Sequence, residues 1–255
     1  GYQSLGAAIQ ERTVGRLLTK CNERPKGSGS LLAAWEKDLT DDRIEEALNS
    51  FEDSLSFRMT AEQRTAVIGA VKSPVSIVSG GAGTGKTTIL LAILAVYDQL
   101  SSGLAKYQVA LSGRAAQRMA ESTGRKAQTI ARFISDHLGD GKPDAGEHVL
   151  LIIDEASMVD LVSAYKIVGI LPYAARIILL GDVSQLPPVG GGLIFHAAMD
   201  SGLPVFELTE VKRQGKQSGI HQLATAVRKG EMDRTLLNSA CGDTRYLPEF
   251  SHDPC

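Results

Sequence analysis

An α/β fold, with a parallel sheet covered by helices on both sides, is the class this sequence predicts, preceded by a small helical module. Three observations carry it. From about Met59 short apolar runs alternate with helical stretches, the pattern of strands joined by crossover helices. Two of those runs, VLLII at 149–153 and ARIILL at 175–180, are almost continuously apolar, as strands buried on both faces are. A glycine-rich loop stands between one strand and the next helix, and such sheets take their ligands at the carboxyl ends of the strands.

Residues 1–58 read as the helical module. The stretch NERPKGSGS at 22–30 predicts a loop or linker, punctuated by Pro25, Gly27 and Gly29. Beyond it Leu31, Leu32, Trp35, Leu39, Ile44, Ala47, Leu48, Phe51 and Leu55 recur at helical spacings, and Asp41 and Asp42 suit the opening of a second helix. Trp35 reads as core rather than as a platform for a base. Residues 59–255 read as the α/β domain. Strands are predicted at 75–78, 107–111, 149–153, 175–180 and 205–208, with helices at 85–100 and 115–122.

Composition narrows the function classes. A 255-residue chain with a formal net charge of −2 is no polycation, so any nucleic-acid contact has to come from a local basic surface. Cys21, Cys241 and Cys255 are far apart and lack CxxC spacing, which argues against a disulfide framework or a zinc site. The five histidines show no metal-ligand spacing either. No apolar run approaches the roughly 20 residues that cross a bilayer, and no basic-plus-apolar leader opens the chain. A cytoplasmic protein without a membrane partner is expected. The first residue is Gly1 rather than Met, as in a processed or excised chain.

The chemistry begins after the strand VSIV. Gly80-Gly81-Ala82-Gly83-Thr84-Gly85-Lys86-Thr87 satisfies Gly-x-x-x-x-Gly-Lys-Ser/Thr between a strand and a helix, and Thr88 follows. The glycines let successive backbone N–H groups line one anion-binding concavity, and the helix N-terminus adds partial positive charge. Lys86 is suited to β- and γ-phosphates and the Thr87 hydroxyl to Mg²⁺. Asp154 and Glu155 end the run LLII. There the first carboxylate can hold Mg²⁺ and the second can polarise an attacking water. The two halves together describe a nucleotide triphosphate site. Further on, GDVSQLPP at 181–188 offers Gln185 as a sensor of the γ-phosphate or the water, or as a plain turn cap.

In this order the motifs resemble those of superfamily 1 helicases of the 5′-to-3′ branch, specifically RecD-like proteins related to the exodeoxyribonuclease V alpha subunit. The likeness covers roughly residues 59–235. It implies a RecA-like P-loop NTPase fold, with ATP and Mg²⁺ as cofactors. Met59-Thr60-Ala61-Glu62-Gln63 is similar to the family's adenine-reading segment, which makes Gln63 the contact to the base. Leu111-Ser112-Gly113-Arg114-Ala115-Ala116 and Gln128-Thr129-Ile130-Ala131-Arg132 are similar to the motifs that contact single-stranded DNA, which points to Ser112, Gly113, Arg114, Thr129 and Arg132. The segment LGDVSQLPPVGGG at 180–192 is the most family-specific. Leu208-Thr209-Glu210-Val211-Lys212-Arg213-Gln214 makes Arg213 a γ-phosphate contact. Arg114, Arg132 and Arg213 each keep a second reading as solvated surface charges.

Three departures stand out. Leu111-Ser112 replaces the family's Pro-Thr, Ala131 stands where a histidine is usual, and the family's second motor domain is not found before Cys255. The resemblance implies a first motor domain that couples ATP hydrolysis to translocation on single-stranded DNA and duplex unwinding. Its partners would be the strand and other subunits of a repair or recombination complex. The competing reading is a regulatory ATP-binding module that recruits a partner without moving along DNA.

Overall fold

The computed structural model describes residues 4–23, 39–100, 103–138, 145–172 and 174–210. Its sheet has six strands: β1 (Val75–Gly80), β2 (Ala105–Ala110), β3 (Gln128–Thr129), β4 (Val149–Asp154), β5 (Arg176–Gly181) and β6 (Val205–Leu208). They lie in the order β3-β2-β4-β5-β1-β6, and every pairing is parallel. The expected strands are present with small shifts; the second ends at Ala110 and leaves Leu111 outside. The two-residue β3 lies within a segment that the sequence marks only as a DNA motif.

Alternation along the buried strands builds two cores. Ile77, Leu151, Ile153, Ile177 and Leu179 face one side, and Val78, Leu150, Ile152, Ile178 and Leu180 the other. The first side is covered by α1 (Leu5–Glu23) through Val14 and Leu18, and by α6 (Ile130–His137) through Phe133. On the same side α7 (Leu161–Ile170) contributes Ile167, and α8 (Ile194–Met199) contributes Phe195. The second side is covered by α2 (Asp41–Asp53) through Ile44 and Leu48, and by α3 (Ala61–Lys72) through Ala66, Val67 and Ala70. There α4 (Lys86–Leu100) adds Ile89 and Ile93, and α5 (Gly113–Thr123) adds Met119. The two helices described within the first 58 residues thus serve opposite faces.

Local sequence explains several boundaries. Asp41 and Asp42 stand in the first turn of α2, where carboxylates meet the positive end of the helix dipole. By contrast, Asn22 and Glu23 belong to α1, so the helix reaches into the segment predicted as linker; the rest of that segment and Trp35 lie outside the described residues. Buried Glu52 at the end of α2 accepts from Met59 N at 2.8 Å and pairs with Arg64 of α3, joining the two helices. Arg176, 1% exposed, opens β5. It donates to Tyr97 Oη at 2.8 Å, Val71 O at 2.5 Å and Ser73 O at 3.0 Å, tying three elements below the sheet.

Candidate nucleotide site and nucleic-acid edge

The parallel register brings the predicted site together at one edge. Ser79 of β1 lies opposite Gly181 of β5, and Ile153 of β4 lies opposite Leu179 of β5. The glycine loop after β1 and the carboxylates after β4 therefore leave the same carboxyl edge. They are two strand spacings apart, about 10 Å. Between them β5 delivers Asp182 and the loop carrying Gln185.

In the glycine loop, Gly83 and Gly85 have φ of 81° and 91°, a region that disfavours side chains. Lys86 opens α4, and its Nζ donates to Gly80 O and to Gly81 O, the latter at 3.2 Å. The ammonium is therefore held over the loop by weak carbonyl acceptors that phosphate oxygens can replace. Buried Thr84 closes the loop on itself, its Oγ1 donating to Gly81 O at 2.9 Å. Thr87 is exposed in the first turn of α4. Ala82 is exposed; Gly81 and Thr88 are half-buried.

Gln63 sits behind this loop and is 2% exposed. With Thr60 it forms a reciprocal capping box at the start of α3. Gln63 N donates to Thr60 Oγ1 at 3.1 Å, and Thr60 N donates to Gln63 Oε1 at 3.0 Å. The remaining amide donor, Nε2, reaches Thr84 O at 2.9 Å. A Cβ on Gly85 would run into that same Nε2, so a glycine is needed there for space as well as for φ. The T-x-x-Q spacing could have revealed the capping box in the sequence, and with it the bracing role beside the suggested base contact.

At the end of β4, Asp154 Oδ1 accepts from Glu155 N at 2.9 Å. Glu155 adopts φ 55° and ψ 34°, and turns the chain into the short 3₁₀ turn Ala156–Met158. Its Oε1 lies 3.4 Å from Arg118 Nη2 on α5. The turn also carries buried Ser157, whose Oγ accepts a long bond (3.5 Å) from Asp182 N. Asp182 Oδ1 accepts from Ser184 N at 2.9 Å and from Ser184 Oγ at 2.5 Å, which shapes the loop start. Gln185 is exposed on that loop. The glycines after it serve contact: a Cβ at Gly190 would stand 2.7 Å from Asp160 Cβ, and one at Gly192 2.7 Å from Leu161 Cβ. Arg213 lies outside the described residues.

A family model described as an AAA domain matches residues 58–242. The chain belongs to that family. Over 186 residues it is 34% identical to an ATP-dependent RecD2 DNA helicase of Deinococcus radiodurans, covering 69% of this chain and 24% of that protein. The RecBCD enzyme subunit RecD of Haemophilus influenzae is 30% identical over 231 residues, with coverages of 68% and 36%. A crystal structure of Pif1 helicase from Candida albicans superposes with a TM-score of 0.53 at 26% identity, covering 71% of this chain and 46% of that one. The chain is a RecD-like, helicase-family ATPase domain, and it spans about a quarter to just over a third of the length of these curated relatives.

In this AAA domain the oxygen set fits the cofactor that the family implies. A threonine hydroxyl and one carboxylate are hard donors of the kind Mg²⁺ takes when phosphates and water complete its shell. Among the described residues no three His, Cys, Asp or Glu side chains group as a metal site of their own.

The DNA candidates occupy the neighbouring stretch of the same edge, because Ala110 of β2 is level with both Thr129 of β3 and Asp154 of β4. Ser112 N-caps α5, its Oγ accepting from Ala115 N at 3.1 Å, and Thr129 N-caps α6, accepting from Arg132 N at 3.1 Å. Gly113 and Arg114 are exposed in the first turn of α5. Arg132 is exposed and paired with Asp136 one turn on, at 2.8 Å. Two helix N-termini thus stand side by side, a setting that favours phosphate. Sequence reasoning missed Arg118; its spacing on an amphipathic helix reads as an ordinary solvated charge.

Proposed function

We propose that this chain is the first motor domain of a RecD-like DNA helicase, binding and hydrolysing ATP and coupling that to movement along single-stranded DNA and duplex unwinding. The observation that carries the reading is the shared carboxyl edge. The glycine loop with Lys86, the Asp154–Glu155 pair and the caps Ser112 and Thr129 all leave neighbouring parallel strands at one level. In this reading residues 59–255 form the ATPase unit, and residues 1–58 supply helices that cover both faces of its sheet.

Lys86 and the loop amides from Gly81 to Thr88 hold the triphosphate. Thr87 and Asp154 hold Mg²⁺, which neutralises charge on the phosphates. Glu155 accepts a proton from the attacking water as its oxygen bonds to the γ-phosphorus and the bond to the β-phosphate oxygen breaks, leaving ADP and phosphate. Gln63 braces the loop from the start of α3, and it contacts the base edge by exchanging its bond to Thr84 O for one to the base. Gln185 and Arg213 report the γ-phosphate. Ser112, Gly113, Arg114, Thr129 and Arg132 contact the strand, chiefly through its phosphates. The relatives named as a RecD2 DNA helicase and as a RecBCD enzyme subunit support DNA as the track and a multi-subunit enzyme, of DNA repair or recombination in this reading, as the setting.

Glu155→Gln tests the reading. The variant is expected to bind Mg–ATP as tightly as wild type and to lose hydrolysis by at least about a hundredfold, the lower end of what a general base contributes. Unchanged hydrolysis in Glu155→Gln would exclude the mechanism.

A further inference from the structure

Resting on the ATPase reading above, we propose that Arg118 is a positioning residue. It latches Glu155 until a phosphate of a bound strand takes its guanidinium, and so links strand occupancy to hydrolysis. The latch is the ion pair between Arg118 Nη2 and Glu155 Oε1 at 3.4 Å. It follows from topology. Ala110 is level with Asp154, so α5 starts beside the end of β4, and its sixth residue, Arg118, reaches Glu155. The αL backbone of Glu155 fixes where its side chain departs, which leaves the partner to decide where the carboxylate ends.

The geometry favours a releasable latch over a permanent brace. Arg118 is 67% exposed and Glu155 27%, and a long, solvent-facing pair of this kind is weak and exchangeable. A guanidinium prefers the two-oxygen edge of a phosphate at least as well as a carboxylate. Arg118 stands six residues after the exposed cap Ser112 on the same helix, about 9 Å along its axis. A strand resting on the two helix N-termini therefore passes within reach of this side chain. The carboxylate oxygen then freed can accept from water.

The test is ATP hydrolysis with and without a single-stranded oligonucleotide, for wild type, Arg118→Ala, Arg118→Lys and Glu155→Gln. Arg118→Ala is expected to raise the strand-free rate two- to fivefold, the scale of an exposed ion pair, and to lower strand stimulation by the same factor. Arg118→Lys is expected to fall between. A strand-free rate that is unchanged or reduced in Arg118→Ala, while Glu155→Gln is inactive, overturns the latch and leaves the ATPase reading standing. Activity retained by Glu155→Gln overturns the ATPase reading instead. A second measurement needs no turnover. The salt dependence of strand affinity is expected to lose about one unit of slope in Arg118→Ala, as for one lost phosphate contact, and an unaltered slope also overturns the proposal.

Discussion

Among the described residues Glu155 is the one non-glycine residue with positive φ, and it is also the proposed proton acceptor. A left-handed non-glycine residue costs roughly 1–2 kcal/mol, and such strain persists only where the surroundings impose it. Here Asp154 Oδ1 holds the Glu155 amide and Glu155 O receives Met158 N at 3.0 Å, so both sides of the residue are fixed. The place of this carboxylate just after a buried strand was legible in the sequence, because two acids follow a continuous apolar run. Its backbone was not, since no local pattern encodes αL at a glutamate. Gln63 shows the same division. The family likeness points to a base contact, while the structure uses the backbone N–H and both ends of the side-chain amide within the protein. Gln63→Ala is expected to lower stability by about 1–3 kcal/mol by orphaning Thr60 N and Thr84 O. It should also weaken Mg–ATP binding. Thermal unfolding and nucleotide titration check the two parts, and a variant as stable as wild type would refute the bracing role.

At the scale of elements, one side chain at the start of α3 clasps the chain just after β6. Glu62 accepts from Thr209 Oγ1 at 2.6 Å, Thr209 N at 2.8 Å and Glu210 N at 3.2 Å. The Thr209 hydroxyl, then the Thr209 N–H, hold this carboxyl below the usual range; desolvation opposes them, and the Glu210 N–H adds the least. A carboxyl lowered by folding stabilises the fold above its unfolded value, and that contribution is lost as pH falls through the folded value. Glu62→Gln is therefore expected to unfold at a lower temperature than wild type near pH 7, and the two curves should converge in acid as pH falls through the lowered folded value. A constant gap across the titration would contradict the clasp. Strands of this fold were readable because burial on both faces leaves apolar runs such as VLLII. The clasp was not, because its partners are 147 residues apart. The helical character of residues 1–58 was readable, but the bounds of α1 were not, because its few buried residues, Val14, Leu18 and Cys21, stand among charged ones.

For the whole molecule, Arg176 is the counterweight to the site at the opposite end of the sheet. The sequence shows it only as a charge at the start of an apolar run. In the fold it is buried against Tyr97 and the carbonyls that end α3. Arg176→Ala is expected to cost about 3 kcal/mol, since it leaves buried acceptors unpaired and a cavity behind. Chemical denaturation reads this directly, and a loss under about 1 kcal/mol would mean the network is not structural. The edge that carries function depends on this frame: six parallel strands held level present the glycine loop, the two carboxylates and two capped helices together. The central claim is that this edge grips a triphosphate through Lys86. Titration of the purified chain with Mg–ATP tests it most directly. The account predicts saturable binding that Lys86→Ala weakens by at least tenfold; binding that is absent in wild type, or unchanged in Lys86→Ala, would contradict it.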